Sequence, residues 1–462
     1  MNLGLMEDTI AAISSPLGMG GIGIVRISGP RARPIGELLF RRRNGTGPLE
    51  SHRFYLGEIV RPRDQGILDE VLLVFMQQPK TYTREDVVEI QCHSGPLILQ
   101  EILQTVLENG ARLAEPGEFT KRAFLHGRID LTQAEAVIDL IQSRSRRSLE
   151  IANLHRAGKL AEKLRGVREG LLELLALFEA GIDFPEEEIP GLPPSEILLR
   201  VHAFKERLDE LLRTYEEGKA VREGIATVIV GKPNVGKSSL LNSFLQEERA
   251  IVTPIPGTTR DVIEEVIQVE GIALRLMDTA GLRAARDLVE EEGLRRTRER
   301  LSLADLTIWV VDGSAPLTAE DFDILSLLEG KKTIVAMNKN DLPPQWAAEE
   351  LSHHLPEIPI LSISALHGTG IDRLKRSIRS LVLNGQIESC GEVLVSNLRH
   401  KRALEEARSA TVQIAEALQA NRSPELITLD IQQALEALGE IVGETTSEEV
   451  LNRIFSQFCI GK

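Results

Sequence analysis

The sequence has few cysteines, and they form no recognisable framework. Only 3 of its 462 residues are cysteine. Cys92, Cys390 and Cys459 are far apart and odd in number, and none belongs to a C-x-x-C pair. This pattern argues against a cysteine-based zinc site and against the disulfide scaffold of a small secreted domain.

Long apolar runs are also missing. No window approaches the roughly 20 apolar residues that a membrane-spanning helix requires. The first residues, MNLGLMEDTIAAISS, carry acidic side chains where a secretory signal would carry lysine or arginine. The sequence therefore predicts a soluble, cytoplasmic protein with no membrane partner.

There is no overall excess of positive charge, since the formal net charge is −15. This argues against indiscriminate coating of nucleic acid, which needs local cations to neutralise phosphate. Two short runs stand out locally, RRR at Arg41–Arg43 and RSRR at Arg144–Arg147. Each is either a basic patch or an ordinary solvated face, and the sequence leaves both interpretations open.

A chain of 462 residues is long enough for about three domains. Residues 1–125 are expected to form a strand-rich α+β domain. Short β-branched runs predict strands at Gly21–Ser28, Asp69–Met76 and Asp86–His93. An amphipathic helix should follow and end near Gly110.

Residues 126–222 are expected to be helical. An apolar stripe repeats every 3.5 residues from Leu160 to Phe178, and a second helix should run to about Glu217. Residues 223–384 alternate apolar strands with helices, as in a parallel sheet covered on both faces. Residues 385–462 return to helix. The helical parts form either one split domain with the α/β domain inserted, which we favour, or two separate units.

The sequence GKPNVGKS, from Gly231 to Ser238, fits the phosphate-binding pattern G-x-x-x-x-G-K-[ST]. It follows a predicted strand and opens a predicted helix, so backbone N–H groups at the helix N-terminus should point at phosphate. Lys237 should reach the β- and γ-phosphates, and Ser238 should offer its hydroxyl to Mg²⁺.

Four later motifs turn this generic loop into a guanine-specific site. GTTRD (Gly257–Asp261) supplies a threonine that can close over the γ-phosphate. DTAG (Asp278–Gly281) should approach Mg²⁺ and the γ-phosphate. In NKND (Asn338–Asp341), the final carboxylate can accept both hydrogens of guanine N1 and its amine, and SAL (Ser364–Leu366) should support the base.

The residue after DTAG is Leu282, at a position where many switch GTPases have a glutamine that orients the attacking water. Leucine cannot form that hydrogen bond, so another group must act. The residues alone leave several candidates open: Arg275, Arg283 and Arg286 as charge stabilisers, and Glu290, Glu291 and Glu292 as groups that orient water.

Across essentially its whole length the chain resembles the MnmE (TrmE) family of tRNA uridine-modification GTPases. Five features carry the match: DTIAAISSPLGMGGIGIVRISGP, AEPGEFTKRAFLHGRIDLTQAEAVIDLI, the GTPase motifs with VTPIPGTTRD, the helical flanks, and the C-terminal FCIGK. The resemblance implies a multidomain α/β and α+β fold. A P-loop GTPase domain would be inserted in a split helical domain, after a tetrahydrofolate-binding-like domain that dimerises.

The resemblance also implies a function and partners. The chain would form a homodimer and a heterotetramer with the FAD-dependent protein MnmG. Together they would add an aminomethyl or carboxymethylaminomethyl group to the wobble uridine of certain tRNAs. The one-carbon unit would come from 5-formyltetrahydrofolate or a related folate, and GTP hydrolysis would be coupled to G-domain pairing.

The family's site residues can be carried over by position. A bound K⁺ would take the place of an arginine finger, with ligands at Asn234, Thr253, Ile255 and Thr258. Thr259 matches the family's Mg²⁺-binding threonine, beside Ser238, and Glu290 matches its water-orienting acid. Together, the motifs and the resemblance assign the GTP contacts to Asn234, Val235, Gly236, Lys237, Ser238, Ser239, Thr253, Pro254, Ile255, Pro256, Gly257, Thr258, Thr259, Asp278, Thr279, Ala280, Gly281, Asn338, Lys339, Asp341, Ser364, Ala365 and Leu366.

The family's folate contacts fall on Arg26, Glu89, Arg128 and Lys462. We expect Arg26 and Glu89 at strand ends, where a carboxylate can grip a pterin N–H pair. Cys459, in the C-terminal CIGK, is either a catalytic thiol near that site or an inert core residue.

Two functions from other classes remain as alternatives. A GTP-regulated ribosome-assembly factor would have no need of a one-carbon site, so the FCIGK tail and the GGIGIVRIS strand argue against it. A membrane-remodelling GTPase is disfavoured because no basic amphipathic helix is evident.

Overall fold

The computed structural model describes residues 8–44, 47–184, 192–247, 265–277, 298, 301–352, 358–382 and 393–462. These form two compact units. One comprises Met1–Ile138 with Glu436–Lys462, and the other comprises Asp139–Leu435. This division does not test the four domain boundaries predicted from the sequence, which stay predictions.

The first unit is built around a seven-stranded mixed sheet with the order β3-β4-β5-β6-β2-β1-β7. Its elements are β1 (Ile10–Ile13), β2 (Gly20–Ser28), α1 (Ala32–Leu39), β3 (Phe40–Arg42), β4 (Arg53–Val60), β5 (Ile67–Met76), β6 (Val87–Ser94), α2 (Pro96–Glu108), β7 (Arg112–Leu113), α3 (Glu118–Leu125) and α4 (Leu131–Gln142). Near the C-terminus this unit also includes the helix Glu448–Phe455 and the part of the helix Pro424–Val442 from Glu436 onward. The predicted strands and helix are confirmed to within a few residues.

Period-two alternation in β2 explains how this sheet packs. Val25 and Ile27 are fully buried, while Arg26 between them projects to the opposite face. The buried face packs against α1 and α2, which contribute Leu39 and Leu99 to one continuous core. Hence Arg26 lies on the opposite face of the sheet, where it does not contribute to this core and can take part in a binding site.

A buried ion network ties α3 to this sheet. The Arg122 side chain is fully buried and donates to Glu85 Oε1 at 2.9 Å, to Glu118 Oε1 at 2.9 Å and to Asp8 Oδ1 at 2.8 Å. Arg112 also bonds to Glu118, at 2.6 Å. Because a buried charge is tolerated only when it is paired and hydrogen-bonded, the network fixes the position of α3.

The second unit contains a six-stranded sheet with the order β13-β12-β11-β8-β10-β9, parallel except for the antiparallel edge strand β9. Its strands are β8 (Ile225–Val230), β9 (Glu265–Val269), β10 (Ile272–Leu276), β11 (Leu306–Asp312), β12 (Thr333–Asn338) and β13 (Ile360–Ser362). The helices around them are α9 (Lys237–Glu247), α10 (Ala319–Leu327), α11 (Ala348–Ser352) and α12 (Ile371–Val382).

Both faces of this sheet are covered, as continuous apolar strands require. Every residue of β8 is buried. Leu240 of α9 and Leu374 of α12 pack in one core, and Ile324 of α10 and Leu351 of α11 pack in another. The predicted α/β architecture is thereby confirmed.

The remaining helices of this unit are α5 (Arg146–Arg156), α6 (Lys159–Asp183), α7 (Pro194–Arg213), α8 (Tyr215–Glu223) and α13 (Leu398–Gln419). Helix α7 precedes the α/β region in the sequence and α13 follows it, yet the two pack together, with Arg408 3.4 Å from Asp209. This pairing supports the favoured arrangement, in which the α/β domain is inserted into one split helical domain.

The prediction of one helix running to about Glu217 was wrong in detail. Helix α7 ends at Arg213, and α8 continues to Glu223. The Thr214 hydroxyl bonds back to Leu211 O at 2.7 Å and accepts the Val395 amide at 2.9 Å. Val395 follows the inserted domain in the sequence. The residues around Thr214 therefore could not reveal that the helix is interrupted there.

Candidate functional site

The phosphate loop lies at the carboxyl end of β8, as predicted. Three of its residues have left-handed backbone angles: Gly231 (φ 146°), Asn234 (φ 62°) and Gly236 (φ 102°). A Cβ on Gly231 would lie 2.2 Å from Val310 O, and one on Gly236 would lie 2.1 Å from Asn338 Nδ2. Glycine is therefore needed at both positions to let the loop fold closely against neighbouring strands.

Lys237 closes over this loop. Its ammonium donates to Gly231 O at 2.6 Å and to Lys232 O at 2.5 Å. Burial lowers its pKa. Ser238 and Ser239 follow in the first turn of α9, where N–H groups and the helix dipole favour anions. The arrangement can hold a phosphate chain and place a serine hydroxyl beside its metal ion.

The guanine-binding motifs meet at the same edge of the sheet. Asn338 ends β12, and its side-chain amide connects the phosphate loop to the SAL motif. It donates to Val235 O at 2.8 Å and accepts from Ala365 N at 2.9 Å. The Ser364 hydroxyl donates to Asp341 Oδ1 at 2.5 Å, and this hydrogen bond lowers the pKa of Asp341. The carboxylate is thus held ionised, as recognition of two guanine N–H donors requires.

Asp312 is a residue of this site that the sequence analysis missed. Its Oδ2 accepts the Lys339 ammonium at 2.6 Å, and its Oδ1 accepts the Ser314 hydroxyl at 2.7 Å. Burial raises the pKa of Asp312, but these partners outweigh burial and leave it lowered. The Trp346 indole N–H donates to the Asp312 carbonyl at 2.8 Å. Asp312 therefore holds the Lys339 side chain of NKND in place. The sequence signal that could have identified Asp312 is an acidic residue at the end of the strand before NKND.

For two predicted residues of this region, the structure gives the position but does not test the predicted role. Leu366 has 77% of its surface exposed. Arg275 lies inside β10, paired in register with Ala226 of β8. The remaining predicted site residues lie outside the described residues: Thr253, Pro254, Ile255, Pro256, Gly257, Thr258, Thr259, Asp278, Thr279, Ala280, Gly281 and Glu290.

A second candidate site lies in the first unit. Arg26 and Glu89 are direct cross-strand partners of β2 and β6, and Arg26 Nε donates to Glu89 Oε1 at 2.8 Å. The expectation that they lie at strand ends was wrong, because both are inside their strands. Their side chains remain 19% and 18% exposed, so the pair is neither sealed in a core nor fully solvated.

The C-terminal tail closes one side of this pair. The Gly461 carbonyl accepts Arg26 Nη1 at 3.4 Å and the Ser14 hydroxyl at 3.1 Å. Gly461 has φ 95°, and a Cβ there would lie 2.4 Å from Ile13 O. Lys462 O accepts the Phe119 amide at 3.1 Å, so residues distant in sequence are brought to Arg26.

Two aromatic rings lie beside the predicted folate-binding arginines. The Arg26 guanidinium lies 5.6 Å from the Phe119 ring centroid, and the Arg128 guanidinium lies 4.8 Å from that of Tyr82. The Tyr82 hydroxyl bonds to Thr120, next to Phe119, at 3.0 Å. The structure thus pairs Arg26 with Glu89, brings the Lys462 main chain to Phe119, and links Arg128 to α3 through Tyr82. Phe119 and Tyr82 were missed by sequence reasoning.

The described cysteines differ in environment. Cys92 is buried, and burial raises the pKa of its thiol to about 11, which makes it inert. Cys459 is exposed, so it is not the core residue that the sequence left as one option. Its main-chain carbonyl accepts the Gly117 amide at 3.4 Å, in the tail that reaches Arg26.

Two structure-wide features bear on function. In the ranges that the structure describes, no helix is long and apolar enough to span a lipid bilayer. Within those same ranges, no group of three or more His, Cys, Asp or Glu residues could hold a metal ion. The Ser238 hydroxyl and the phosphate oxygens of a nucleotide are hard oxygen donors, which fit Mg²⁺.

Comparison with known proteins finds matches along almost the whole chain. A model of the MnmE helical domain matches residues 131–459, and a model of the GTP-binding protein TrmE N-terminus matches residues 9–128. The tRNA modification GTPase MnmE of Geotalea uraniireducens (strain Rf4) is 48% identical over 458 residues, 99% of this chain and 100% of the relative. The protein of the same name from Geobacter sulfurreducens (strain ATCC 51573 / DSM 12127 / PCA) is 49% identical over 458 residues, with the same coverage.

Among solved structures, the G domain of the T. maritima FeoB iron transporter is 31% identical. The match covers 34% of this chain and 98% of that chain, with a TM-score of 0.26. That score is too low to support an argument about this chain.

Proposed function

We propose, since this chain belongs to the MnmE family of tRNA modification GTPases, that it couples GTP hydrolysis to a folate-dependent change at the wobble uridine of tRNA. The chain is a GTP hydrolase that acts in tRNA modification. The finer proposal is that, with the FAD-dependent protein MnmG, it adds an aminomethyl or carboxymethylaminomethyl group to carbon 5. A ribosome-assembly role is set aside, because the full-length relatives bear the name of a tRNA modification GTPase.

One observation carries the folate part of this proposal. The chain has a half-buried Arg26–Glu89 pair, closed by its own C-terminal tail, in a different compact unit from the GTP site. Glu89 can accept the N–H pair of a pterin, and the buried Phe119 ring packs behind Arg26 and holds its guanidinium in place. A bound folate would supply the one-carbon unit. A plain GTPase has no need of such a site.

The chemistry at the GTP site needs charge stabilisation as well as binding. Lys237 and the loop amides would hold the phosphates, and Ser238 with Thr259 would hold Mg²⁺. Glu290 would orient the attacking water. Asn234 would hold K⁺, with Thr253, Ile255 and Thr258, and that ion would supply positive charge to the transferring phosphoryl group. Apart from Lys237, Ser238 and Asn234, these residues lie outside the described ranges.

An exposed apolar face in the first unit supports the proposed homodimer. Phe54, Leu56 and Leu72 project to one side of the β4–β5 pair, with 54%, 43% and 41% of their surfaces exposed. Leu56 and Leu72 are direct cross-strand partners. Apolar side chains grouped in this way mark a surface that another protein covers.

The folate site can be tested by calorimetry with 5-formyltetrahydrofolate and the full-length protein. We expect binding by the parent and a loss of about tenfold or more in affinity for Arg26→Ala or Glu89→Ala, since each removes a charged hydrogen-bond partner. Arg33→Ala is the matched control, because Arg33 forms an exposed ion pair with Glu37 at 2.9 Å on the same unit. Absence of heat for the parent protein would refute the folate site.

The cellular role is tested by mass analysis of tRNA. In a strain that lacks this chain, the carboxymethylaminomethyl group should disappear from wobble uridines. The parent gene should restore it, and the Arg26→Ala gene should not. Normal modification in the deletion strain would overturn the proposed function.

A further inference from the structure

The chain carries a strongly basic segment that the GTP and folate sites do not use. Residues 144–168 contain eight arginines and lysines and two glutamates, a formal net charge of +6 in a chain whose net charge is −15. The segment begins with the RSRR run and covers α5 and the first turns of α6. A local concentration of this size needs a physical explanation.

Most of these cations point into solvent. Arg144, Arg146, Lys163 and Arg165 are exposed. In the part of the chain that the structure describes, no carboxylate forms an ion pair with any of these four. The segment's own glutamates are engaged by its other cations, as Arg147 lies 3.3 Å from Glu150 and Lys159 lies 2.8 Å from Glu162.

The exposed residues of α5 form one stripe. Arg146, Leu149, Asn153 and Arg156 recur at helical spacing on its solvent side, and Leu149 is 45% exposed. The stripe is about 15 Å long at a rise of ~1.5 Å per residue. It therefore presents two guanidinium groups with an amide and an apolar side chain between them, which is a mixture suited to an extended polar partner.

Holding these charges costs stability in the isolated chain. Helix α5 has no acidic residue in its first turn and has Arg146 and Arg147 there, although Ser145 caps it. Cations at a helix N-terminus oppose the helix dipole by roughly 0.3–1 kcal/mol each. Lys159 begins α6 in the same unfavourable way. In α6 the cost is partly offset by Glu162 in its first turn, whereas α5 has no such acid, and an anionic partner would offset the cost there.

The other basic run of the sequence behaves differently. Arg41 lies 3.7 Å from Glu58, Arg43 lies 2.9 Å from Glu70, and the nearby Arg53 lies 3.0 Å from Glu50. Its charge is largely neutralised within the chain, so it offers little to a polyanion.

We propose that α5 and the first turns of α6 form the surface that binds the phosphate backbone of tRNA. This inference rests on the proposed function, because it takes tRNA as a direct partner. A chain of net charge −15 would repel tRNA unless one surface reverses the local sign. Exposed arginines and lysines grouped on one surface match the repeated negative charges of a phosphate backbone.

This surface is joined to the GTPase sheet. Gln268 of the edge strand β9 donates to the Arg144 carbonyl at 2.8 Å. RNA bound along α5 would therefore lie beside the GTPase sheet.

The test compares two variants that lose the same charge. The first is Arg144→Gln, Arg146→Gln, Lys163→Gln and Arg165→Gln combined. The control combines Arg41→Gln, Arg43→Gln, Arg373→Gln and Arg376→Gln; all four control residues are exposed, and the last two lie on α12. Neither set touches the GTP or folate site, so GTPase activity without tRNA should stay at the parent level in both.

Binding of fluorescently labelled tRNA to each full-length protein is measured by anisotropy across a range of KCl concentrations. For the first variant we expect affinity at 0.1 M salt to fall by about tenfold or more. The slope of log K against log salt should flatten by about 3, as four phosphate contacts predict. Its melting temperature should be unchanged or higher, since cations opposing the helix dipoles are gone.

Each other outcome overturns the inference. An equal loss of tRNA affinity in both variants would indicate a bulk charge effect. No loss of tRNA affinity in the first variant would place the RNA contacts elsewhere. In both cases the proposed function stands, since the parent still binds tRNA. If the first variant keeps tRNA binding but loses association with the FAD-dependent partner, the surface binds an acidic protein. Failure of the parent to bind tRNA, with or without that partner, would refute the proposed function itself.

Discussion

Asn234 shows how much can depend on one variable position of a common motif. Its φ of 62° is one that asparagine tolerates better than most residues, because its short amide can bond locally. Asn234 lies at the turn of the phosphate loop, in the segment that would contact the phosphates. The proposed potassium site assigns one ligand to the side-chain oxygen at this position.

Potassium dependence gives a prediction at this scale. Replacing NaCl by KCl should raise the GTPase rate about tenfold or more, as a charge stabiliser of phosphoryl transfer would. Both Asn234→Ala and Asn234→Gly should abolish that increase. Glycine accepts a positive φ without strain and alanine does not, so the pair separates loss of the amide from loop strain. Equal parental rates in both salts, or a stimulated glycine variant, would refute the potassium assignment.

At the scale of elements, the junction between the two parts of the helical domain is set by close backbone contact. A Cβ on Gly218 of α8 would lie 2.2 Å from Val395 O, a main-chain atom from beyond the inserted domain. The Thr214 hydroxyl accepts the amide of the same Val395. Val395 is fully buried, so this crossing joins the two helical segments inside a core.

This contact predicts unequal effects of one substitution at two helical glycines. Gly218→Ala should lower the free energy of unfolding by about 1–3 kcal/mol, because the backbone must shift to admit a methyl group. Gly181→Ala, where nothing lies within 4 Å of the added Cβ, should instead be neutral or stabilise by up to ~1 kcal/mol. Urea unfolding followed by circular dichroism measures both. A Gly218→Ala variant as stable as its parent would contradict the close approach.

On the scale of the whole molecule, the first compact unit should lose stability in acid. In the first unit, burial raises the pKa of Glu118, but Arg112 and Arg122 outweigh it, and the pKa is lowered from 4.5. Burial acts on Asp8 in the same sense, and the same two arginines lower its pKa from 3.8. The fully buried Arg122 depends on these carboxylates staying ionised.

The direction of the pH effect follows from these lowered values. The folded carboxyls bind fewer protons than the unfolded ones, so their stabilisation is complete above about pH 4.5 and is lost as the pH falls through the folded pKa. We expect the first unit to unfold cooperatively below pH 4. Glu118→Gln should destabilise it at pH 7 and flatten its stability profile between pH 5 and pH 3. Glu37→Gln, in an exposed pair, is the control and should leave the profile unchanged.

Some features of the molecule were predictable because they depend on local pattern. The phosphate loop, the NKND and SAL motifs and the buried strands between them were found by residue type and spacing, and they lie together as predicted. Other features could not be predicted. Asp312 bonds to Lys339 across neighbouring strands, and Phe119 reaches Arg26 only through the folding of α3.

By itself, the sequence determined the class of the protein. Glycines at fixed offsets, a lysine and serine at a helix start, and apolar strands are requirements of backbone geometry and burial, and they can be recognised without coordinates. Only the tertiary structure decided which residues share a site. Arg26 and Glu89 pair through strand register, Gly461 reaches Arg26 by a tail that returns from the far end of the chain, and one basic run is neutralised while the other is left open. These outcomes depend on contacts between distant segments, which local pattern does not encode.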